Sequence, residues 1–218
     1  MSLHRPDAIN ALCLGRGQGL TAAPDAWRTD TDVQIVLLDG AGDRGFCAGG
    51  DVRALHAQIV SGHPESTAEF FRAEYAPNAM IAEYPKPIVA FAAGIPMGGG
   101  LGLAGHAAIR IVTERSKLAM PETRIGFTPD VGGTWLLGRA PGRLGEYLAL
   151  TGGSMKGGDG IAPGFADYYV PSPKLEPPRE APPVRAHPNG ASGSVLAFDR
   201  TPEPPGVAPC TEWRCQAL

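Results

Sequence analysis

The chain has few cysteines, little net charge and no long hydrophobic run, and each of these absences excludes a class of protein. Its four cysteines among 218 residues form neither a metal-ligand spacing nor a disulfide-dense framework. The formal net charge of −3 supplies no strong field for nucleic acid or an anionic membrane surface. No apolar stretch approaches the roughly 20 residues of a membrane span, and residues 1–10 lack the apolar core of a signal peptide. We therefore expect a cytoplasmic protein with no metal site, no nucleic-acid partner and no membrane partner.

Glycine and proline are instead in excess, and the two residues are distributed differently. The chain has 30 glycines and 22 prolines, about twice the usual share of these residues. Residues 1–170 contain 27 of the glycines, which predicts tight turns and close approach of the backbone to a ligand. Residues 171–218 contain 11 of the prolines and show no helical or strand periodicity. We therefore predict one folded domain over 1–170 and a proline-rich, disordered tail over 171–218.

Short apolar runs alternate with helical patterns along the first 170 residues. This alternation predicts an α/β fold. Strands are predicted at 33–38, 87–93 and 108–112, and helices at 52–60, 64–82, 101–108, 132–139 and 144–150. Within the second of these helices, Pro77 predicts a kink or a break, because proline removes a backbone hydrogen-bond donor.

Two glycine-rich loops, at 48–51 and 97–100, each follow an apolar strand. Glycines at such places let backbone N–H groups approach a ligand atom directly, and two neighbouring loops can aim two donors at one developing oxyanion. Tight turns with close packing of helix on strand would explain the same glycines. Neither loop provides the dinucleotide-binding fingerprint or the phosphate-binding loop of nucleotide enzymes.

Two acidic residues, Glu122 and Asp130, lie eight positions apart and each directly follows a proline. Such a pair in one pocket can divide the work between a base or nucleophile and an orienting group. The alternative is an ordinary acid in the cap or first turn of a helix, a role that suits Asp130 because it precedes the helix predicted at 132–139.

Three segments in a fixed order carry a more specific signal: FCAGGDVR, PMGGGLGL and AMPETRIGFTPDVGGTWLL. Together they resemble the crotonase (enoyl-CoA hydratase/isomerase) superfamily, and HRPDAINAL resembles the start of that fold. The resemblance covers about residues 3–170 and is closest to the 3-hydroxyisobutyryl-CoA hydrolase branch. It implies an α/β, crotonase-like fold of repeated ββα units that binds an acyl-CoA thioester.

The resemblance also implies roles for five residues. The backbone N–H groups of Gly50 and Gly99 match the oxyanion hole of the family. Glu122 matches the base or nucleophile, and Asp130 matches the acid that contacts the hydroxyl group of the substrate. Glu74 matches a further carboxylate of the substrate pocket, with a solvated acid on an amphipathic helix as the alternative. No separate cofactor is implied, since coenzyme A is part of the substrate, and a trimer-based homo-oligomer is expected from the family.

Two positions favour hydrolysis over hydration. The second catalytic glutamate of a typical hydratase corresponds here to Gly102, which cannot transfer a proton, and Asp130 stands where hydratases carry a small residue. The implied activity is hydrolysis of a short-chain 3-hydroxyacyl-CoA, of the 3-hydroxyisobutyryl-CoA type in valine catabolism. An enoyl-CoA hydratase or isomerase and a non-catalytic acyl-CoA-binding remnant are the alternatives. Cys47, beside the first loop, is interpreted as a packed small residue and not as a nucleophile.

Three features depart from the family pattern. The first strand is almost wholly missing. The region of the first helix is interrupted by three glycines and a proline: Gly15, Gly17, Gly19 and Pro24. Inside a helix, each glycine is unfavourable by about 1 kcal/mol relative to alanine, and the proline by about 3 kcal/mol. After Val170, where the hydrolase branch continues as helices over the pocket, this chain has proline-rich sequence. We therefore expect the C-terminal helical region to be absent through truncation or a frame shift, and the activity to be impaired.

Overall fold

A computed structural model describes residues 1–175 of the 218-residue chain. Seven strands lie in this part of the chain: β1 (Ser2–Leu3), β2 (Val36–Gly40), β3 (Ile88–Phe91), β4 (Ile109–Val112), β5 (Lys117–Ala119), β6 (Ser154–Lys156) and β7 (Tyr168–Tyr169). The main sheet is parallel throughout, with the order β1-β2-β3-β4-β7. The strands β5 and β6 form a separate antiparallel pair. The α/β class predicted from the sequence is confirmed.

Six α-helices connect these strands over the same residues: α1 (Leu14–Arg28), α2 (Val52–Val60), α3 (Glu65–Ala82), α4 (Gly99–Gly105), α5 (Gly133–Gly138) and α6 (Leu144–Thr151). The helix predicted at 52–60 has the predicted bounds, and every other predicted element lies within about three residues of its prediction. The apolar patterns and the glycines that follow them were therefore sufficient to locate β2, β3, β4 and helices α2 to α6.

Helix α1 corrects one expectation from the sequence. The interruption predicted from three glycines and Pro24 is wrong, because α1 runs unbroken for 15 residues. The helix packs mainly on α3, and a Cβ on Gly17 would overlap the backbone carbonyl of Ala73 on that helix. Gly17 is thus a point of close approach, and tertiary packing stabilises a segment whose intrinsic helix propensity is poor.

Helix α3 corrects a second expectation. Of the two outcomes predicted at Pro77, the break is wrong, since α3 continues from Glu65 to Ala82 with Pro77 buried inside it, and the kink stays a prediction. This helix packs against α1, α2 and α4. Contacts on several sides hold the segment helical across a residue that cannot donate a backbone hydrogen bond.

The contrast between two glycines of α1 gives a direct test of this packing. Changing Gly17 to alanine is expected to lower the free energy of unfolding by about 1–3 kcal/mol, because the new Cβ meets backbone atoms of α3. Changing Gly15 to alanine, where no atom lies within 4 Å of the added Cβ, is expected to raise it by about 0.5–1 kcal/mol. Urea unfolding of both variants measures the difference, and equal effects would contradict the assigned contact.

The main sheet brings the two glycine-rich loops to one edge. Ile88 and Ala90 of β3 face the larger apolar core, while Val89 between them faces a smaller cluster on the opposite side. Such burial on both faces is typical of a parallel sheet covered by helices. The strands β2 and β3 are parallel neighbours with Val36 opposite Ile88, so the loops that follow them leave the sheet at the same end, where α/β proteins build their sites.

Most of the predicted tail lies outside the described residues, and the domain boundary at 170 remains a prediction. Within 171–175, Ser172–Lys174 form a 3-10 helix. None of the helices described between residues 1 and 175 combines the length and apolarity needed to cross a membrane. In that same part of the chain, no group of three or more His, Cys, Asp or Glu side chains is arranged to hold a metal ion.

Candidate active site

The two glycine-rich loops lie side by side and join a third segment. The backbone N–H of Cys47 donates to the carbonyl of Ile95 at 2.9 Å, and the N–H of Met97 donates to the carbonyl of Cys47 at 3.0 Å. The N–H of Gly98 then donates to the carbonyl of Ala119 at 3.1 Å. These bonds hold the second loop between the first loop and the end of β5, and Glu122 follows shortly after β5 in the chain.

A buried asparagine, Asn10, stabilises the backbone turn just before the first loop. Asn10 is fully buried, and its side-chain Nδ2 donates to the carbonyl oxygens of Ala41 at 3.0 Å and Gly45 at 2.9 Å. Its Oδ1 accepts from the backbone N–H of Arg5 at 2.8 Å. Every polar atom of this side chain is therefore engaged, which stabilises the turn that leads into the loop.

The two amides predicted to form an oxyanion hole have no hydrogen-bond acceptor within the described part of the chain. Gly49 and Gly98 have φ values of 92° and 51°, in the region that favours glycine, and each directly precedes one of these amides. Among the described residues, neither the N–H of Gly50 nor that of Gly99 donates to a backbone or side-chain acceptor. Gly99 is also the first residue of α4, where a helix leaves its N–H groups unpaired.

Glu74 lies directly against both of these glycines. A Cβ on Gly50 would stand 3.3 Å from Oε1 of Glu74, and a Cβ on Gly99 would overlap that oxygen. The side chain is buried, with 4% of the residue exposed, so the alternative of a solvated acid is wrong. Burial, with smaller contributions from the charges of Asp130 and Glu122, raises the pKa of Glu74 to about 8.

Glu122 begins a 3-10 helix, Glu122–Ile125, that follows β5. Its Oε1 lies 3.0 Å from the position that a Cβ of Gly98 would occupy, next to the second amide. Its Oε2 is buried and accepts no hydrogen bond from the described part of the chain. Burial is the main cause that raises the pKa of Glu122 to about 7, with Asp130 as a further contributor. A carboxyl group of this kind is suited to accept a proton near neutral pH.

Asp130 is half-buried and receives a hydrogen bond from α3. The hydroxyl of Tyr75 donates to its Oδ2 at 2.9 Å. Burial raises the pKa of Asp130, and the bond from Tyr75 opposes that rise. The alternative role as a helix cap is wrong, because the N-cap of α5 is Gly132 and no side chain caps it.

The residue after Asp130 holds a strained conformation. Val131 has a φ of 46°, a value that a β-branched side chain rarely adopts. The Nε2–H of His106 donates to the carbonyl of Val131 at 2.9 Å, and the Val131 side chain is buried. A backbone conformation of this kind costs of order 1–3 kcal/mol. The bond from His106 and the burial of the Val131 side chain hold the backbone in it, directly beside Asp130.

Val131 also blocks the place beside Gly102. A Cβ on Gly102 would stand 2.6 Å from both Cβ and Cγ2 of Val131 and 3.1 Å from Oδ1 of Asn78. Any side chain at position 102 therefore requires Val131 to move. The sequence shows only that position 102 is a glycine, and the structure adds a steric reason why no acid stands there.

Cys47 is packed beneath the first loop. It is fully buried, its thiol donates to the carbonyl of Asn10 at 3.3 Å, and burial raises its pKa to about 12. A thiol with so high a pKa is not a nucleophile at neutral pH, in agreement with its interpretation as a packed residue.

The structure thus brings Gly50, Gly99, Glu74, Glu122 and Asp130 into one site, while their chemical roles remain predictions. Sequence reasoning missed three residues that support this site: Asn10, Tyr75 and Val131. Asn10 and Val131 adopt positive φ values, and only the asparagine, which tolerates that region, offered a signal. Tyr75 lies within the helix predicted at 64–82, and the sequence gives no signal of its contact with Asp130.

The carboxyl group of Glu74 should make stability depend on pH. Its ordinary pKa of 4.5 rises to about 8 on folding, so the folded state binds more protons and loses stability as pH rises from 4.5 to 8. Changing Glu74 to glutamine is therefore expected to raise the free energy of unfolding by about 2–4 kcal/mol more at pH 8.5 than at pH 5. Chemical denaturation at both pH values measures this. The exposed Glu69 on the same helix, changed to glutamine, serves as the control, and a pH-independent difference for Glu74 would contradict the assigned burial.

Comparison with known proteins gives the same family over most of the chain. The enoyl-CoA hydratase/isomerase family profile matches residues 1–185. The 3-hydroxyisobutyryl-CoA hydrolase, mitochondrial, of Danio rerio is 46% identical over 176 residues, which are 81% of this chain and 46% of that protein. The probable 3-hydroxyisobutyryl-CoA hydrolase 3 of Arabidopsis thaliana is 43% identical over 175 residues, 80% of this chain and 46% of that protein. The chain spans about half the length of these curated relatives.

Solved structures agree with the predicted crotonase-like fold. A carnitinyl-CoA dehydratase from Mycobacterium thermoresistibile superposes with a TM-score of 0.87 and 43% identity, covering 98% of this chain and 61% of that one. An enoyl-CoA hydratase from Rhodobacter sphaeroides superposes with a TM-score of 0.81 and 44% identity, covering 97% and 60%. The motifs, the parallel sheet and these relatives lead to one conclusion: the chain belongs to the crotonase, or enoyl-CoA hydratase/isomerase, family.

Proposed function

We propose that this chain hydrolyses a short-chain 3-hydroxyacyl-CoA thioester of the 3-hydroxyisobutyryl-CoA type. One observation carries the proposal: the amides of Gly50 and Gly99, free of acceptors in the described chain, both lie beside Glu74, and the buried carboxyl group of Glu122 lies against Gly98, which precedes the second amide. Two free N–H donors in one site with a group that accepts protons near pH 7 are the elements that acyl transfer from a thioester requires.

In this proposal the thioester carbonyl oxygen accepts hydrogen bonds from the N–H groups of Gly50 and Gly99. The donors polarise the carbonyl and stabilise the negative charge that develops on its oxygen. Removing one donor from such a hole typically costs about 3–4 kcal/mol of transition-state stabilisation. Coenzyme A then leaves as a thiolate when the tetrahedral intermediate collapses.

Two roles for Glu122 are consistent with its position. As a base, it takes a proton from a water molecule that attacks the carbonyl carbon. As a nucleophile, it forms a mixed anhydride that water later hydrolyses. Its pKa of about 7 leaves a large ionised fraction at neutral pH, and either role needs the ionised carboxylate.

The two other acids supply contacts for a hydroxylated acyl chain. The carboxylate of Asp130 accepts hydrogen bonds, so it suits the donor O–H of a 3-hydroxyacyl group. Glu74, with a pKa of about 8, is mainly protonated at pH 7 and can donate a hydrogen bond from beside the two amides. The curated relatives named as 3-hydroxyisobutyryl-CoA hydrolases, at 43–46% identity, support this substrate class.

Hydration of an enoyl-CoA is the second candidate, because the solved relatives at 43–44% identity are named as a dehydratase and a hydratase. Against it stands Gly102, whose neighbour Val131 occupies the space that a second acid would need. Addition of water across a double bond is aided by an acid and a base acting together, and the site offers no side chain at 102 for one of those roles.

Product analysis separates the candidates. The full chain is incubated in parallel with 3-hydroxyisobutyryl-CoA and with crotonyl-CoA, and free thiol and enoyl absorbance are both followed. Hydrolysis predicts thiol release from the first substrate and little change in the second. Loss of enoyl absorbance without thiol release would favour hydration, and binding of both substrates without turnover would favour a non-catalytic role.

Three narrower expectations remain predictions. A place in valine catabolism follows only if 3-hydroxyisobutyryl-CoA proves to be the substrate. A cytoplasmic location is predicted from the sequence, whereas the relative from Danio rerio is named as mitochondrial. The trimer-based assembly is likewise a prediction, which light scattering of the purified chain measures directly.

A further inference from the structure

Tyr75 connects helix α3 to the loop that carries Asp130. Its hydroxyl donates to Oδ2 of Asp130 at 2.9 Å. Within residues 1–175 it is the one side chain that donates to this carboxylate. No side chain of that range donates to the second oxygen, Oδ1, which can accept a hydrogen bond from a ligand, and the bond that Tyr75 makes to Oδ2 restricts the rotation of the carboxylate.

The ring of Tyr75 is itself held in place by aromatic contacts. Phe71 lies one turn earlier on the same face of α3, with its ring centre 5.9 Å from that of Tyr75. Phe71 in turn stacks on Phe127 of the acid-bearing loop, at 5.6 Å and an interplanar angle of 24°. The helix and the loop are thus joined twice, once by stacked rings and once by the hydrogen bond, so Tyr75 has little freedom to move away from Asp130.

The electrostatic surroundings make this single hydrogen bond important. Asp130 contributes to the raised pKa values of Glu74 and Tyr75 of α3 and of Glu122 of the 3-10 helix, so these titratable groups lie within its electrostatic reach. His106, the C-cap of α4, binds the neighbouring carbonyl of Val131. Glu74 is mainly protonated at pH 7, so burial and the charge of ionised Glu122 are what oppose an ionised Asp130. Burial and the bond to Asp130 raise the pKa of Tyr75, so its hydroxyl stays protonated and remains a donor at neutral pH.

We propose that Tyr75 is a positioning residue that orients Asp130 to receive the hydroxyl of a 3-hydroxyacyl-CoA, and that it thereby determines the preference for hydroxylated acyl chains. This inference rests on the proposed function and deepens it. A carboxylate held at Oδ2 presents Oδ1 in one direction. A carboxylate without that bond rotates more freely, because the terminal torsion of aspartate has a broad energy minimum.

Selectivity between two substrates tests this role. The matched pair is 3-hydroxyisobutyryl-CoA and isobutyryl-CoA, which lacks the hydroxyl. For Tyr75→Phe we expect kcat/KM to fall about 10–100-fold on the first substrate, as for a hydrogen bond to a charged group. On the second substrate the change should stay within about 2-fold, because that substrate makes no bond to Asp130. Tyr147→Phe, which removes an exposed hydroxyl on α6, is the control and should change neither value.

A second variant guards against a general structural effect. Asp130→Asn should lose the same selectivity, and adding Tyr75→Phe to it should cause little further loss, because Tyr75 acts through Asp130. Equal losses on both substrates, or losses that add in the double variant, would overturn the proposal.

A measurement without turnover distinguishes failure of this proposal from failure of the proposed function. The pKa of Asp130 is measured from the pH dependence of its carboxyl ¹³C chemical shift, in the full wild-type chain and in the Tyr75→Phe variant. Loss of the donor should raise the pKa of Asp130, because the bond favours its ionised form. Binding of non-hydrolysable thioether analogues, with and without the 3-hydroxyl, should show the same loss of preference as kcat/KM. If the chain proves inactive, the proposed function fails, while an unchanged pKa and unchanged analogue preference would overturn the role of Tyr75.

Discussion

Changing Glu122 to glutamine is expected to lower the rate of CoA release from 3-hydroxyisobutyryl-CoA by about 10²–10⁴-fold. The amide keeps the shape of the side chain but can neither accept a proton from water nor attack a carbonyl. Binding of the substrate should change little, because the amides of Gly50 and Gly99 and the carboxylate of Asp130 remain in place. Steady-state kinetics should therefore show the loss in kcat, with KM nearly unchanged.

The control for this prediction is the exposed Glu83 at the end of α3, changed to glutamine. That variant removes the same charge and should retain full activity. A Glu122→Gln variant that kept more than about a tenth of the wild-type kcat, well outside the range for a lost base, would show that this carboxyl group is not the base or nucleophile.

Changing Gly99 to alanine is expected to lower kcat by about 10²–10³-fold, comparable to the loss of one oxyanion-hole donor. The added Cβ would overlap Oε1 of Glu74 and stand 3.3 Å from Cδ1 of Leu12. The carboxyl group is the flexible end of its side chain, so we expect it to move aside. The chain should then remain folded, while the added methyl group and the displaced carboxyl group of Glu74 obstruct the binding of a carbonyl oxygen at the second amide.

Thermal unfolding and kinetics together test this prediction. The variant should unfold within a few degrees of the wild type, a shift that corresponds to about 1 kcal/mol, and should lose most of its thioesterase activity. Gly138→Ala on α5, where no atom lies within 4 Å of the added Cβ, is the matched control and should be active. Full activity in Gly99→Ala would place the oxyanion hole elsewhere.

The sequence was sufficient to locate β2, β3, β4 and helices α2 to α6 because their signals are local. Apolar runs such as Val36–Leu38 and the residues of α2 show their periodicity within a few positions, and a glycine closes α6 at Gly152. The errors arose where tertiary contacts decide. Pro24 and Pro77 predict interruptions by local rules, and the packing of α1 and α3 against each other overrides both.

The site could be predicted only as far as its motifs extend. The two glycine loops and the acids at 122 and 130 each follow a recognisable pattern, and their resemblance to a family brought them together. The bond between Tyr75 and Asp130 joins residues 55 positions apart, and no local periodicity of the sequence predicts such a contact. Likewise, the sequence shows only that position 102 lacks a side chain, whereas the structure shows that Val131 fills the space that such a side chain would occupy.

Release of free CoA from 3-hydroxyisobutyryl-CoA by the purified 218-residue chain tests the central claim most directly. The thiol is detected as it forms, with Glu122→Gln protein prepared in parallel as the blank. The account predicts steady thiol release by the wild-type chain that exceeds the blank by at least about 100-fold. Equal rates for the two proteins would contradict it, because the free amides and the buried acid would then lie together without performing the reaction.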